Sequence, residues 1–190
     1  MNKYLSFLIV AMAFAFSSQA HAFYTELGVQ YGQKKTTFDT DNYFTAESLT
    51  GSMSLYFFER LALELSYTEA NGTRQEKANA TDPTRTTYQK STVMGADLIL
   101  MFADKKDLFQ PYIKGGAAQI HRRQEVKIEG QDSYIIEPAD AIVPSYGVGL
   151  KIAVTEAFGI KISYDVWKTP VDDGAQTDDT SIRAGITWIL

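Results

Sequence analysis

The sequence predicts an all-β protein: a closed, eight-stranded, antiparallel up-and-down barrel. Three observations predict it. Eight segments alternate apolar and polar residues at period two, the spacing of a pleated strand with one face on each side. The connections between them are alternately short and long. The last segment runs to the final residue, with Ile182, Ala184, Ile186, Trp188 and Leu190 on one face and Ser181, Arg183, Gly185 and Thr187 on the other. Closure of the sheet is therefore expected to use the last residues of the chain.

Residues 1–22 read as a cleaved export signal. Lys3 supplies an early positive charge, an apolar run extends from Leu5 to Phe16, and Ser17-Ser18-Gln19 leads into the small-residue site Ala20-His21-Ala22. That run is shorter than the ~20 residues of a spanning helix. Export through the Sec pathway is expected, with residues 23–190 forming one domain. The chain has no cysteine and a formal charge of −5. This rules out a disulfide framework or thiolate metal site and argues against a nucleic-acid partner.

The strands are expected at Phe23 to Gly32, Ser48 to Phe57, Leu61 to Thr68, Tyr88 to Phe102, Phe109 to Ile120, Pro144 to Val154, Phe158 to Trp167 and Thr180 to Leu190. In the third, Leu61, Leu63, Leu65 and Tyr67 oppose Glu64, Ser66 and Thr68. In the seventh, Ile160, Ile162, Tyr164 and Val166 oppose Lys161, Ser163 and Asp165. Glu59-Arg60, Ala103 to Leu108 and Thr155-Glu156-Ala157 are tight connections. Gln33 to Glu47, Glu69 to Thr87, His121 to Val143 and Lys168 to Asp179 are long and polar. An even strand count puts every tight turn at one end and every long loop at the other, as in outer-membrane barrels.

Periodicity alone does not say which face points inward. A soluble barrel of the lipocalin kind has an apolar interior, and a membrane barrel reverses it. Small residues crowd the polar face, among them Gly28, Gly32, Ser52, Ser54, Gly95, Gly116, Gly147, Gly149 and Gly185. A narrow lumen needs such residues, whereas a solvent-facing strand gains nothing from glycine. Aromatic residues gather at strand ends: Phe23, Tyr31, Phe57, Phe58, Tyr67, Phe102, Phe109, Phe158, Tyr164, Trp167 and Trp188. These are the positions of two membrane interfaces. The barrel is thus expected to be transmembrane, with its polar face inside.

Gln110-Pro111-Tyr112-Ile113-Lys114-Gly115-Gly116-Ala117, Tyr146-Gly147-Val148-Gly149-Leu150-Lys151 and the alternating terminal strand resemble the small outer-membrane β-barrel family, the OmpA-like transmembrane domain and its relatives. The resemblance covers the whole chain. It implies a place in the bacterial outer membrane and carries no information about activity. It also implies that Ile186, Trp188 and Leu190 are read by the barrel-insertion machinery, although such strands usually end in an aromatic residue. No periplasmic peptidoglycan-binding domain, and so no attachment to peptidoglycan, is expected.

An inward polar face encloses Glu26, Glu64, Asp97 and Asp165 together with Lys114, Lys151, Lys161 and Arg183. Unpaired buried charges cost several kcal/mol, so the eight are expected to pair into a plug, with Arg183 or Lys161 near Glu26. At the loop end, Arg122, Arg123 and Lys127, beside His121, suit lipopolysaccharide phosphates. Asp172, Asp173, Asp178 and Asp179 read as a solvated face rather than a metal site. Phe38, Tyr43, Phe44 and Tyr134-Ile135-Ile136 either mark a contact surface or extend the barrel above the membrane. Lipid A deacylases and palmitoyltransferases are similar in architecture and use a histidine with a serine and a carboxylate. Here His121 has only Ser133, Glu125 and Glu137 nearby, and Arg123 stands where a His-x-Ser spacing needs serine. No catalytic residue, cofactor or metal is expected. The expected role is that of a monomeric structural and surface-interaction protein whose external loops meet lipid, lipopolysaccharide or a surface ligand. A small porin-like pore is the alternative, and a lipid-modifying enzyme stands third.

Overall fold

The structure, a computed structural model, describes residues 23–37, 42–77, 83–170 and 176–190. The export signal, Phe38, Asp172 and Asp173 lie outside the described residues. Nine strands follow one another: β1 Tyr24–Thr37, β2 Tyr43–Phe58, β3 Leu61–Glu76, β4 Arg85–Met101, β5 Phe109–Ile128, β6 Tyr134–Ile136, β7 Ala141–Ala153, β8 Phe158–Pro170 and β9 Gln176–Ile189. Eight of them close an antiparallel barrel in the order β1-β2-β3-β4-β5-β7-β8-β9, and β9 pairs back onto β1 from Glu26↔Ile189 to Gly32↔Arg183. Leu190 continues the seam, its amide donating to the Thr25 carbonyl at 2.9 Å. Gly185 makes the seam close: a Cβ there would collide with the Val29 carbonyl and the Gln30 Cα. β6 is a short addition to the upper part of β5, with Val126↔Tyr134 and Gln124↔Ile136.

The strands are longer than the alternation predicts. β1 and β2 pair out to Thr37↔Tyr43, β3 and β4 to Glu76↔Arg85, and β4 and β5 to Arg85↔Ile128. Much of what reads as long loop is strand standing above the membrane. The reason is physical: the outer face there meets water rather than lipid, so it need not be apolar and the period-two signal fades. Threonine and tyrosine still favour extended backbone at Thr45, Thr73, Thr86, Thr87 and Tyr88. β5 has 20 residues. A tilted strand needs only about ten to cross the hydrocarbon layer.

The two faces settle the inside–outside question. Leu27, Val29, Leu49, Leu98, Ile162 and Ile186 are exposed on the outer wall, while Glu26, Glu64, Asp97, Lys151, Lys161 and Arg183 are buried inside. An apolar exterior around a charged interior is stable only in lipid. Tyr31, Tyr67, Tyr146 and Tyr164 stand outward toward the long-loop end, and Phe23, Phe58, Phe102, Phe109 and Trp188 toward the turn end, which gives two aromatic girdles. Trp167 departs from this pattern. It packs against a buried cluster inside the barrel rather than on the outer girdle.

Candidate functional site

The interior is built in three layers. At the turn end lies an apolar layer of Tyr56, Ala62, Ile99, Met101 and Tyr112, with Tyr24 packed against it. Tyr24 and Tyr56 stack with centroids 4.2 Å apart and planes 11° from parallel. Gly149 leaves the space that the Tyr112 ring fills. The connection from β4 to β5 is fastened beneath this layer. Gln110 Nε2 donates to the Lys105 and Asp107 carbonyls at 2.7 and 2.8 Å, and Lys105 Nζ sits 4.1 Å from the Tyr24 ring. Arg60 Nη2 lies 2.8 Å from Asp104 Oδ1, and that carboxylate raises the guanidinium above its ordinary value.

The middle layer is ionic. Lys114 Nζ is 3.0 Å from Glu64, 2.8 Å from Asp165 and 3.6 Å from Asp97. Lys161 crosses from β8 to Glu64 on β3, and Lys151 pairs with Glu26. Arg183 Nη2 is 2.5 Å from Asp165 Oδ2. Its Nη1 donates to the Thr50 and Thr68 hydroxyls at 2.8 and 3.1 Å. Ser163 donates to Asp165 at 2.7 Å and Ser54 to Glu64 at 3.2 Å. Each of the eight interior ions thus has an ion-pair partner. Glu26 makes its ion pair with Lys151, because tilt and stagger bring β7, three strands away, to the height of Glu26; Lys161 lies close enough for the two charges to interact but makes its own ion pair with Glu64. Neighbourhood along the sheet does not decide which side chains meet across the lumen.

A second apolar layer, Val93, Ala118, Ile120 and Val143 with Ala141 and Trp167 against it, closes the middle from the external side. Val93 and Trp167 line a cavity of about 20 Å³ below them and another of about 70 Å³ above, so they form the partition between the two. The lower cavity has room for about one water. Sequence reasoning missed both apolar layers by assigning each strand one apolar face. One signal was available: Leu98-Ile99-Leu100-Met101-Phe102 is unbroken apolar sequence, the mark of a strand buried on both sides.

At the external end the basic trio divides. Arg122 points inward, its Nη2 3.0 Å from Asp179 on β9, whose carboxylate also lies 3.9 Å from Lys34. Arg123 and Lys127 point outward from β5, since side chains alternate along a strand. Arg123 meets Glu137 at 3.3 Å, and Lys127 meets Glu125 at 3.5 Å and the Tyr88 ring at 5.0 Å. Lys90 stands directly across from Arg123. His121 Nδ1 is 2.7 Å from Asp140. Its partner is therefore neither Ser133, Glu125 nor Glu137, and Glu125 and Glu137 are engaged by Lys127 and Arg123. Among the described residues no group of three or more His, Cys, Asp or Glu side chains is placed to hold a metal.

An outward apolar belt, two girdles and strands closed end to end place the chain in lipid. The outer membrane protein beta-barrel domain family matches residues 5–189. The chain belongs to this family. It is a barrel of the bacterial outer membrane, with its tight turns toward the periplasm and its long connections outside. Among solved structures, Ail, the attachment invasion locus protein of Yersinia pestis, in complex with the heparin analogue sucrose octasulfate, is 14% identical. It covers 90% of this chain and 100% of its own at a TM-score of 0.57. The N-terminal β-barrel domain of Pseudomonas aeruginosa OprF is 17% identical, covering 87% and 97% at 0.54. Neisserial surface protein A is 15% identical, covering 87% and 96% at 0.52. At such identities the likeness carries the fold. No curated protein sequence matches the chain.

Proposed function

We propose that this family member is a closed, non-conducting and non-enzymatic barrel that works through its external surface, where it meets lipopolysaccharide. The supporting observation is the filled interior: an ionic layer with every charge paired, bounded by an apolar layer on each side. An ion crossing the barrel would have to break buried pairs and pass two layers that offer it no ligands. The external collar then remains as the working part. Lys90 and Arg123 face each other across an antiparallel pair; Glu137 meets Arg123, which leaves the three groups one net positive charge for a further anion to offset. Lipid A phosphate, accepting from arginine's paired donors, supplies one, and Lys127 extends the same face. The insertion machinery would read Ile186, Trp188 and Leu190, all exposed on the outer wall of β9 and the residue after it.

Liposome swelling tests the closed lumen. Proteoliposomes holding the folded barrel, diluted into an isotonic sugar solution, are expected to swell no faster than empty liposomes. Swelling that rises with protein content, and falls with solute size, would make the protein a pore.

A further inference from the structure

β6 is the one edge of an otherwise closed sheet. It pairs with Gln124, Glu125 and Val126 of β5, and no strand lies on its other side among the described residues. It stands where β7 would continue, since β7 leaves β5 at Ile120↔Ala141. The described part of β8 does not reach it either. Ser145 pairs with Gly116 on one side and Trp167 on the other, so Pro170, where β8 ends, is level with Gln119 and below Gln124. Successive residues of a strand aim their N–H and C=O groups at alternate edges, so part of the β6 backbone is turned to the open side. Among the described residues, no backbone hydrogen bond joins Tyr134, Ile135 or Ile136 to any segment other than β5.

Sheets usually guard such an edge with lysine, proline or a covering loop. Here the edge presents three apolar side chains in a row, with Tyr134 43%, Ile135 54% and Ile136 38% exposed. They stand in water, because the girdle residue Tyr146 pairs with Gly115, far down β5. Scattered exposed apolar residues are ordinary, but a run of them along an unpaired edge marks a contact surface.

Charge selects the occupant. Residues 129–140, which carry β6, hold Glu129, Asp132, Glu137 and Asp140 and no lysine or arginine. Arg123 meets Glu137 and His121 meets Asp140. The side chains of Glu129 and Asp132, exposed in the turn from β5 to β6, have no partner among the described residues. A second copy of the chain would bring acid to acid, whereas a basic strand supplies the missing charge. We infer that the free edge of β6 takes up an extended segment of a partner polypeptide as an added strand, one that alternates apolar residues with lysine or arginine. Main-chain hydrogen bonds hold the segment, and its side chains supply the selectivity. β6 is already extended against the 20-residue β5, so the barrel has little ordering left to do on binding. This surface is separate from the Lys90–Arg123 face proposed for lipopolysaccharide.

The probe is the acetylated and amidated peptide Lys-Val-Lys-Val-Lys-Val, titrated into the folded barrel in a non-ionic detergent. Binding and amide hydrogen exchange are followed by NMR. Saturable binding is expected, with slowed exchange confined to β6. An analogue N-methylated at every residue has no N–H to donate, and it should bind at least about tenfold more weakly. Glutamate in place of lysine should do the same. Glu129→Gln with Asp132→Asn should weaken the lysine peptide and narrow its advantage over the glutamate one. Ile135→Pro should abolish the protection. Equal binding of the N-methylated peptide would mean adhesion without strand pairing and would overturn the inference. So would unchanged binding to folded Ile135→Pro, or no saturation by about 1 mM peptide. Should Ile135→Pro fail to fold, the N-methylated peptide decides. Protection of β6 in the barrel alone, rising with its concentration, would make a second copy the occupant and overturn the basic partner.

Discussion

Lys114 holds three carboxylates at once, those of Glu64, Asp97 and Asp165, from a side chain that is almost wholly buried. Removing it leaves Glu64 with Lys161 and Asp165 with Arg183 but takes from Asp97 its ion-pair partner. Breaking a buried ion pair by deleting one partner costs about 3–5 kcal/mol, so Lys114→Met is expected to lower barrel stability by about that amount in urea unfolding from micelles. Lys34→Ala is the contrast. Its pair with Asp179 is 3.9 Å long and about a third exposed, and such pairs contribute about 0–1 kcal/mol. Equal losses from the two substitutions would contradict this reading of the interior. The identity of the interior ions was legible in the sequence, because period-two alternation puts Glu64, Lys161 and Asp165 opposite the apolar face. The partners were not. Lys161 reaches Glu64 from β8 to β3, and only the stagger of the closed sheet sets which heights coincide across the lumen.

Among the elements, β4 and β5 carry the most beyond the membrane. They remain paired from Met101↔Tyr112 to Arg85↔Ile128, and their outer upper face presents Lys90, Arg123 and Lys127. The register is what unites Lys90 with Arg123, 33 positions later in the sequence. It also removes Arg122, which alternation turns inward to Asp179. A loop would have left all three basic residues of the third connection free to face one anion; a strand divides them. The extension was illegible because its outer face meets water rather than lipid and only scattered residues such as Val126 are buried on its inner face. Replacing Lys90 and Arg123 together with serine is expected to weaken binding of the folded, detergent-held barrel to purified lipopolysaccharide by at least several-fold. The difference should shrink at high salt, because exposed charges are screened. Serine variants that bind as tightly as the parent chain would remove lipopolysaccharide from the proposed partners.

For the whole molecule the decisive property is closure: that of the sheet is observed, and that of the lumen is the proposal. The sheet was legible: eight alternating segments, tight and long connections in turn, and a final strand whose Trp188 faces lipid and whose Arg183 faces the lumen. What the sequence obscured is that side chains fill the lumen in three layers, an ionic one between two apolar ones. Residues such as Ile99 and Val93 sit in the same register as the charges and interrupt the polar face. The stacked Tyr24–Tyr56 pair, with the β4–β5 connection fastened below it, adds packing at the turn end. Single-channel recording in a planar bilayer tests this most directly, using chain 23–190 refolded and verified by its unboiled gel mobility. Silence at all holding potentials is the predicted result. Discrete, reproducible current steps from verified barrel would contradict the sealed lumen and make ion conduction the function to pursue.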